Sequence, residues 1–300
     1  MSLVEFKLED RFKRDEGDVA MSGVQALLRV LLDQLRADKR DGLNNAAMVS
    51  GYRGSPLGGM DSLFLGNQAE LAANNVTFLP GLNEDLAATA VWGSQLANHN
   101  WEGRHDGVLG MWYGKAPGVD RSGDAIRHAN VSGVDPNGGV LMVAGDDPAS
   151  KSSTLTAESE FMLVHLETPI FYPGSVQEVA DFGRWGYALS RYSGLWSSIK
   201  IVTNVADGYS TIKVGPGRVQ ASRPTWEWNG KPWAHSQEDR LFGPLAVAME
   251  REVYEGRIEA AKHFIAHNDL NKQTVDTADA KLGIVAASSR PSLSRAAITS

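Results

Sequence analysis

The feature that most constrains this chain is a series of short, continuous apolar runs separated by amphipathic helical patterns. The runs fall at residues 46–50, 76–79, 108–112, 140–144, 169–172 and 199–203, with another much later at 281–286. A strand that is apolar without alternation is covered on both faces, which requires a largely parallel sheet between helical layers. Helical periodicity fills most of the intervals, over residues 22–40, 84–98, 120–129 and 176–190. Two of these helices open on capping boxes, Ser22-Gly-Val-Gln25 and Ser175-Val-Gln-Glu178. Leu27, Leu28, Leu31, Leu32 and Leu35 form the apolar face of the first, and Arg36, Lys39 and Arg40 suit its negative C-terminal end. The expected fold is α/β, a doubly wound and mostly parallel sheet.

The alternation stops after Asp207, which sets the expected domain organisation. Residues 1–20 form a charged N-terminal segment and residues 21–207 the sheet domain. Residues 208–280 hold an irregular excursion carrying Trp226, Trp228 and Trp233, a long helix over 239–263, and a polar linker; this is a C-terminal helical extension. Residues 281–300 read as the truncated start of a second domain. The apolar fraction of 42% fills a core and excludes bulk disorder. A net charge of −7 argues against a nucleic-acid protein that neutralises phosphates. Cysteine is absent, so the chain has no disulfide, no thiol nucleophile and no cysteine ligand for a cluster. No apolar run approaches the ~20 residues of a membrane span, and the charged N-terminus does not resemble a signal peptide. A soluble, cytoplasmic protein is expected, with neither nucleic acid nor membrane as partner.

Several segments invite a chemical reading. Gly145-Asp-Asp-Pro-Ala-Ser-Lys151-Ser152 approaches the phosphate-binding loop pattern, but Ser150 replaces its second glycine and Asp146 and Asp147 would repel a triphosphate. A polar loop at the carboxyl end of a strand is the better account, and such loops line sites in open α/β sheets. Neither the dinucleotide-binding glycine fingerprint nor a nucleophile elbow is present. His263 and His267 lie four apart on a helix, with no third ligand at suggestive spacing, and no metal site is expected. In Gly51-Tyr-Arg-Gly-Ser-Pro-Leu-Gly-Gly59, Ser55 and Arg53 are suitable donors for a carboxylate, although the segment also serves as a tight strand-to-helix connection. Glu84 opens a helix, where a carboxylate is often only a partner for the dipole. Ala87, Ala88, Ala90 and Gly93 nevertheless leave one flank of that helix small enough for close packing.

These two segments, together with Gly110-Met-Trp-Tyr-Gly-Lys-Ala-Pro-Gly-Val-Asp-Arg-Ser-Gly-Asp124 and residues 145–154, resemble the amino-terminal region of the indolepyruvate ferredoxin oxidoreductases, closest to their long, fused bacterial form. That family belongs to the thiamine-diphosphate-dependent 2-oxoacid:ferredoxin oxidoreductases. The resemblance covers residues 18–286. It implies a pyrimidine-binding domain, the half of a thiamine diphosphate site that holds the aminopyrimidine ring. It assigns Glu84 as catalytic and cofactor-binding, since a glutamate there hydrogen-bonds the ring nitrogen and favours the tautomer that removes the reactive C2 proton. Gly54 is assigned to the cofactor as well. Ser55 stands where relatives often carry Thr, near the substrate carboxylate and carbonyl. Arg53, where many relatives have Pro, is assigned to the same substrate.

Departures from the family pattern bear equally on function. The diphosphate end and its Mg²⁺ require a second domain with an acidic Gly-Asp-Gly motif, which Gly123-Asp124 and Asp207-Gly208 do not supply. The cysteines of the 4Fe–4S clusters are also missing. The resemblance implies oxidative decarboxylation of an aryl 2-oxoacid with coenzyme A by the complete enzyme, and inactivity of this chain alone. Expected partners are downstream domains or a separate subunit carrying the missing parts, ferredoxin, and further copies in a homo-oligomer. The competing expectation is a non-catalytic binding or assembly module left after loss of the downstream domains.

Overall fold

The structure, a computed structural model, describes residues 7–99, 102–273, 275, 281–283, 285 and 286. In chain order the elements are α1 (Asp10–Lys13), β1 (Gly17–Ser22), α2 (Gly23–Arg40), β2 (Ala46–Gly51), α3 (Met60–Gly66), α4 (Gln68–Ala73), β3 (Val76–Pro80) and α5 (Glu84–Gln95). Then come β4 (Val108–Lys115), α6 (Ala116–Arg121), α7 (Gly123–Ser132), β5 (Val140–Asp146), α8 (Glu160–His165), β6 (Ile170–Phe171), α9 (Val176–Ser193), β7 (Ser197–Val202) and α10 (Thr203–Ala206). The last are β8 (Tyr209–Val214), β9 (Glu227–Trp228), β10 (Lys231–Pro232), α11 (Gly243–Glu252), a π-helical turn over Val253–Arg257, and α12 (Ile258–His267).

Six strands form one sheet in the order β3-β2-β4-β5-β7-β6, and every pairing in it is parallel. Each expected run from residue 46 to residue 203 supplies one of its strands. Side chains alternate between two separate cores, as the pleat demands. Leu109, Met111 and Tyr113 of β4, with Leu141 and Val143 of β5, pack into the core that contains α2 and α9. Trp112 of β4 and Val140, Met142 and Ala144 of β5 point the other way, onto Ala87, Val91 and Ile126 of α5 and α7. Helices therefore cover both faces, and the fold is the doubly wound α/β arrangement expected from the sequence.

The capping box at Ser22 is complete. Ser22 Oγ accepts from the Gln25 amide at 3.3 Å, and the Ser22 amide donates to Gln25 Oε1 at 2.9 Å. At Ser175 only one arm forms, from the Glu178 amide to Oγ at 3.2 Å. The Glu178 carboxylate instead accepts from the Gly174 amide at 2.6 Å.

The expected boundaries after residues 20 and 207 fall at a pair of strands outside the main sheet. Strands β1 and β8 pair antiparallel from Gly17↔Val214 to Ser22↔Tyr209, so each boundary cuts close to or through one two-stranded ribbon. Its inner face is Val19, Met21, Ile212 and Val214, all buried. Two apolar residues per strand are too few to register as a run, yet they suffice once a distant partner completes the pair. The long helix is shifted to residues 243–267 and broken by the π turn. The described part of 281–286 contains no strand, and the remainder of 281–300 lies outside the described residues.

Candidate functional site

Strand β2 has β3 on one side and β4 on the other, so the chain reverses its direction of travel across the sheet between β2 and β4. In an open parallel sheet the crevice for ligands lies at the carboxyl ends of the strands flanking such a reversal. Here the loops 52–59 and 81–83 and the β4–α6 junction at 115–117 meet, joined by loop 147–159 after β5.

Close backbone approach builds the floor. A Cβ on Gly51 would lie 2.3 Å from the Tyr113 carbonyl oxygen, and one on Gly81 would lie 2.8 Å from the Gly51 carbonyl oxygen. Only glycine permits the bonds that follow, Tyr52 amide to Tyr113 oxygen at 3.0 Å and Gly81 amide to Gly51 oxygen at 2.9 Å. Three loops are thereby stitched together. Beneath them the Tyr113 hydroxyl donates to Asp61 Oδ1 at 2.6 Å, and burial pushes that phenol far above its ordinary range.

Glu84 is the first residue of α5 and half-buried. It is not the helix cap. Asn83 takes that role, its Oδ1 accepting from the Leu86 amide at 2.8 Å. The fully buried Trp112 donates from Nε1 to the Glu84 carbonyl at 3.0 Å and fixes the backbone. The side chain occupies space left by two glycines. A Cβ on Gly118 would fall 2.6 Å from Glu84 Cγ and 2.9 Å from its Oε1, and one on Gly114 would fall 3.4 Å from Cγ. Among the described residues no group donates to the Glu84 carboxylate. A half-buried acceptor, rigidly based and without a protein partner, suits a hydrogen bond to a ligand.

A cleft of about 90 Å³ opens beside it, lined by Ser55, Lys115, Pro117, Gly145, Asp147 and Thr154. Residues 116 and 117 line this cleft and residue 118 lies against Glu84, so the first turn of α6 borders both the cleft at Ser55 and the Glu84 side chain. The two residues singled out in the sequence thus share one edge of the sheet. Gly54 sits against the stem of Lys115, where a Cβ would come to 3.0 Å of its Cδ. Arg53 is exposed and, among the described residues, forms no ion pair. Sequence reasoning missed Lys115 and the glycines at 114 and 118, although all three stand inside the Gly110–Asp124 motif; their spacing around a strand end was the available signal.

The loop after β5 is closed by its own side chains. Asp147 accepts from the Lys151 amide at 3.0 Å, the Ser152 amide at 2.9 Å and Thr203 Oγ1 at 3.2 Å. Those bonds, the Ser152 amide foremost, hold its carboxyl below the usual range. Lys151 pairs with Asp207 at 2.9 Å. A phosphate-binding loop needs these amides and this ammonium for its ligand, so the structure excludes that alternative. Asp146 is buried beside Lys200 at 2.9 Å, and burial pushes its carboxyl up despite that neighbour. Lys200 also pairs with Glu160 and lies 4.8 Å from the centre of the Tyr172 ring.

The paired histidines on α12 serve packing. His263 packs at a tilt against Trp226 with ring centres 5.2 Å apart, and His267 Nε2 meets Ser222 Oγ at 3.0 Å. Among the described residues, ligand atoms of His99, Glu238 and Asp239 come within 4.8 Å of one another, but Arg240 already engages both carboxylates.

No family model matches the chain. Its sequence is similar to indolepyruvate oxidoreductase subunit IorA of Archaeoglobus fulgidus, 23% identical over 204 residues, which is 68% of this chain and 30% of that protein. Its fold is similar to that of 2-oxoglutarate:ferredoxin oxidoreductase from Magnetococcus marinus, solved with 2-oxoglutarate, coenzyme A and succinyl-CoA bound. The TM-score is 0.57 at 14% identity, over 85% of this chain and 46% of that one. The chain thus spans less than half the length of either protein. The resemblance read from the four motifs is borne out by the sequence match, and the fold agrees with it.

Proposed function

We propose that the chain, as a member of the 2-oxoacid:ferredoxin oxidoreductases, supplies the pyrimidine-binding half of a thiamine diphosphate site. The complete enzyme would convert an aryl 2-oxoacid and coenzyme A to the acyl-CoA, carbon dioxide and one proton, passing two electrons to ferredoxin. The observation that carries this reading is the Glu84 carboxylate, held half-buried at the carboxyl edge with no donor among the described residues. That acceptor fits the cofactor's ring: a carboxylate for a ring nitrogen, in the first turn of α5, whose Ala87 and Ala88 are packed into the core beneath it. Bound thiamine diphosphate supplies the electron sink for loss of the substrate carboxylate.

Each residue then has a distinct task. Glu84 holds and returns a proton at the ring nitrogen, which requires a carboxyl group fixed in place. Ser55 donates its hydroxyl to the substrate carbonyl or carboxylate, and Arg53 adds a positive charge at the mouth. Gly54 keeps the loop backbone close to the ring. The diphosphate, Mg²⁺ and 4Fe–4S clusters would be held by downstream domains or another subunit, since this chain has no cysteine to ligate a cluster.

Glu84→Gln in the assembled enzyme tests the assignment. The change is isosteric, so the circular dichroism spectrum and thermal midpoint should be retained. Deuterium exchange at C2 of the bound cofactor should fall by ~10²–10⁴-fold, the range of general acid–base roles. Exchange at the wild-type rate would reduce Glu84 to a helix-start carboxylate and leave the assembly-module reading standing.

A further inference from the structure

On the face of the sheet covered by α2 and α9 lies a second cavity, of about 420 Å³. One wall is Gln34 and Asp38 of α2 with Asp41, its C-cap, and the other is Arg184, Ala188 and Arg191 of α9. Spacings of three, four and seven residues put each set on one helical face. The rim is the segment 216–223, including Arg223, and Phe264 closes one side. A water's share of liquid volume is about 30 Å³, so this space accommodates a metabolite.

Its arginines are unequally paired. Asp38 is saturated, accepting both guanidinium nitrogens of Arg191 at 2.8 and 2.7 Å as well as Gln34 and Asn45. Asp33 is taken by Arg29 at 2.8 Å and Arg36 at 3.4 Å. Arg184 is only 6% exposed and has no carboxylate within ion-pair distance among the described residues. Its Nε donates to Gln34 Oε1 at 2.7 Å and its Nη2 to the Pro216 carbonyl at 3.2 Å, while Nη1 has no partner. Asp33 and Asp38 act on this guanidinium only from beyond contact, and burial outweighs them and lowers its pKa; an anion in the adjoining cavity gives it a direct partner. Arg223 stands exposed at the rim, again with no ion pair among the described residues.

We propose that this cavity binds a small anionic molecule, a phosphoryl or carboxylate compound, through Arg184 and Arg223. The position is remote from the carboxyl-edge cleft. Asp38 bonds Asn45, just ahead of β2, and Arg191 bonds the Gly138 carbonyl, just ahead of β5. The cavity therefore adjoins the amino edge, separated from Gly145 by the length of β5, roughly 20 Å at ~3.3 Å per residue. The site is independent of the proposed thiamine chemistry.

Pyrophosphate and citrate, titrated calorimetrically into the 300-residue chain at constant ionic strength near about 0.15 M, test it. Saturable one-to-one binding of either is expected, and the tighter arm identifies the anion class. Arg223→Gln, an exposed change without a structural partner to lose, should weaken binding by at least about 10-fold. Arg184→Gln should abolish it. Arg240→Gln should leave it unchanged. Absence of saturable binding of both probes overturns the proposal, as does binding that Arg223→Gln leaves intact.

Discussion

Gly118 is the position that separates the placement of the Glu84 carboxylate from its presence. A methyl there meets Glu84 Cγ at 2.6 Å, and the flexible carboxylate arm yields more readily than the backbone of α6. Gly118→Ala should therefore keep the fold and move the acid. In the assembled enzyme, C2 exchange should drop about 10²-fold, the usual consequence of a ~1 Å misplacement, with Glu84 still in the chain. Exchange at the wild-type rate would show that the cradle does not position the acid. Ser55→Ala should behave otherwise, raising the 2-oxoacid KM by roughly 3–10-fold, the worth of one neutral hydrogen bond, with C2 exchange unchanged. Glu84 and Ser55 were legible because each stands in a glycine-punctuated motif after an apolar run. Lys115 was not, because only the folded loop brings its stem against Gly54.

Between α11 and α12 the π turn puts Glu252 and Arg257, five residues apart, on one side of the helix. Arg257 Nε donates to Glu252 Oε1 at 2.8 Å, and the rest of its guanidinium reaches the Asn130 carbonyl at 2.6 Å and the Ser236 carbonyl at 3.0 Å. Both side chains are buried. Glu252→Gln leaves the Arg257 charge without its partner and should cost about 3–5 kcal/mol in urea unfolding at neutral pH. Burial alone would raise the Glu252 carboxyl, but Arg257 and Ser236 outweigh it and hold it below the ordinary 4.5. A depressed carboxyl stabilises the fold above its unfolded value, and that stability is lost as pH falls through the folded one. Wild-type stability should thus decline below about pH 4.5, and the decline should be shallower in Glu252→Gln; parallel curves would contradict the linkage. A π turn breaks the 3.6-residue period. That is why periodicity located this helix only approximately, and why α3 and α4, short and sharing one turn at Asn67, escaped notice.

For the molecule as a whole, the chain holds one side of a proposed cofactor site and no cysteine. Purified alone with thiamine diphosphate, Mg²⁺ and coenzyme A, it should give no aryl 2-oxoacid-dependent reduction of ferredoxin or a viologen dye; steady turnover would refute the half-site reading. The sequence by itself determined the layered α/β plan, because whether a strand is covered on one face or two is written in its own few residues. It also carried the motifs that contain Glu84 and Ser55. Tertiary structure alone decided the β1–β8 ribbon, the Lys151–Asp207 pair that ties down the loop after β5, the glycine cradle under Glu84 and the setting of Arg184. Each joins groups far apart along the chain, as with Arg184 and Gln34, 150 residues distant. Local periodicity records which side of an element is buried; it does not record what that side will touch.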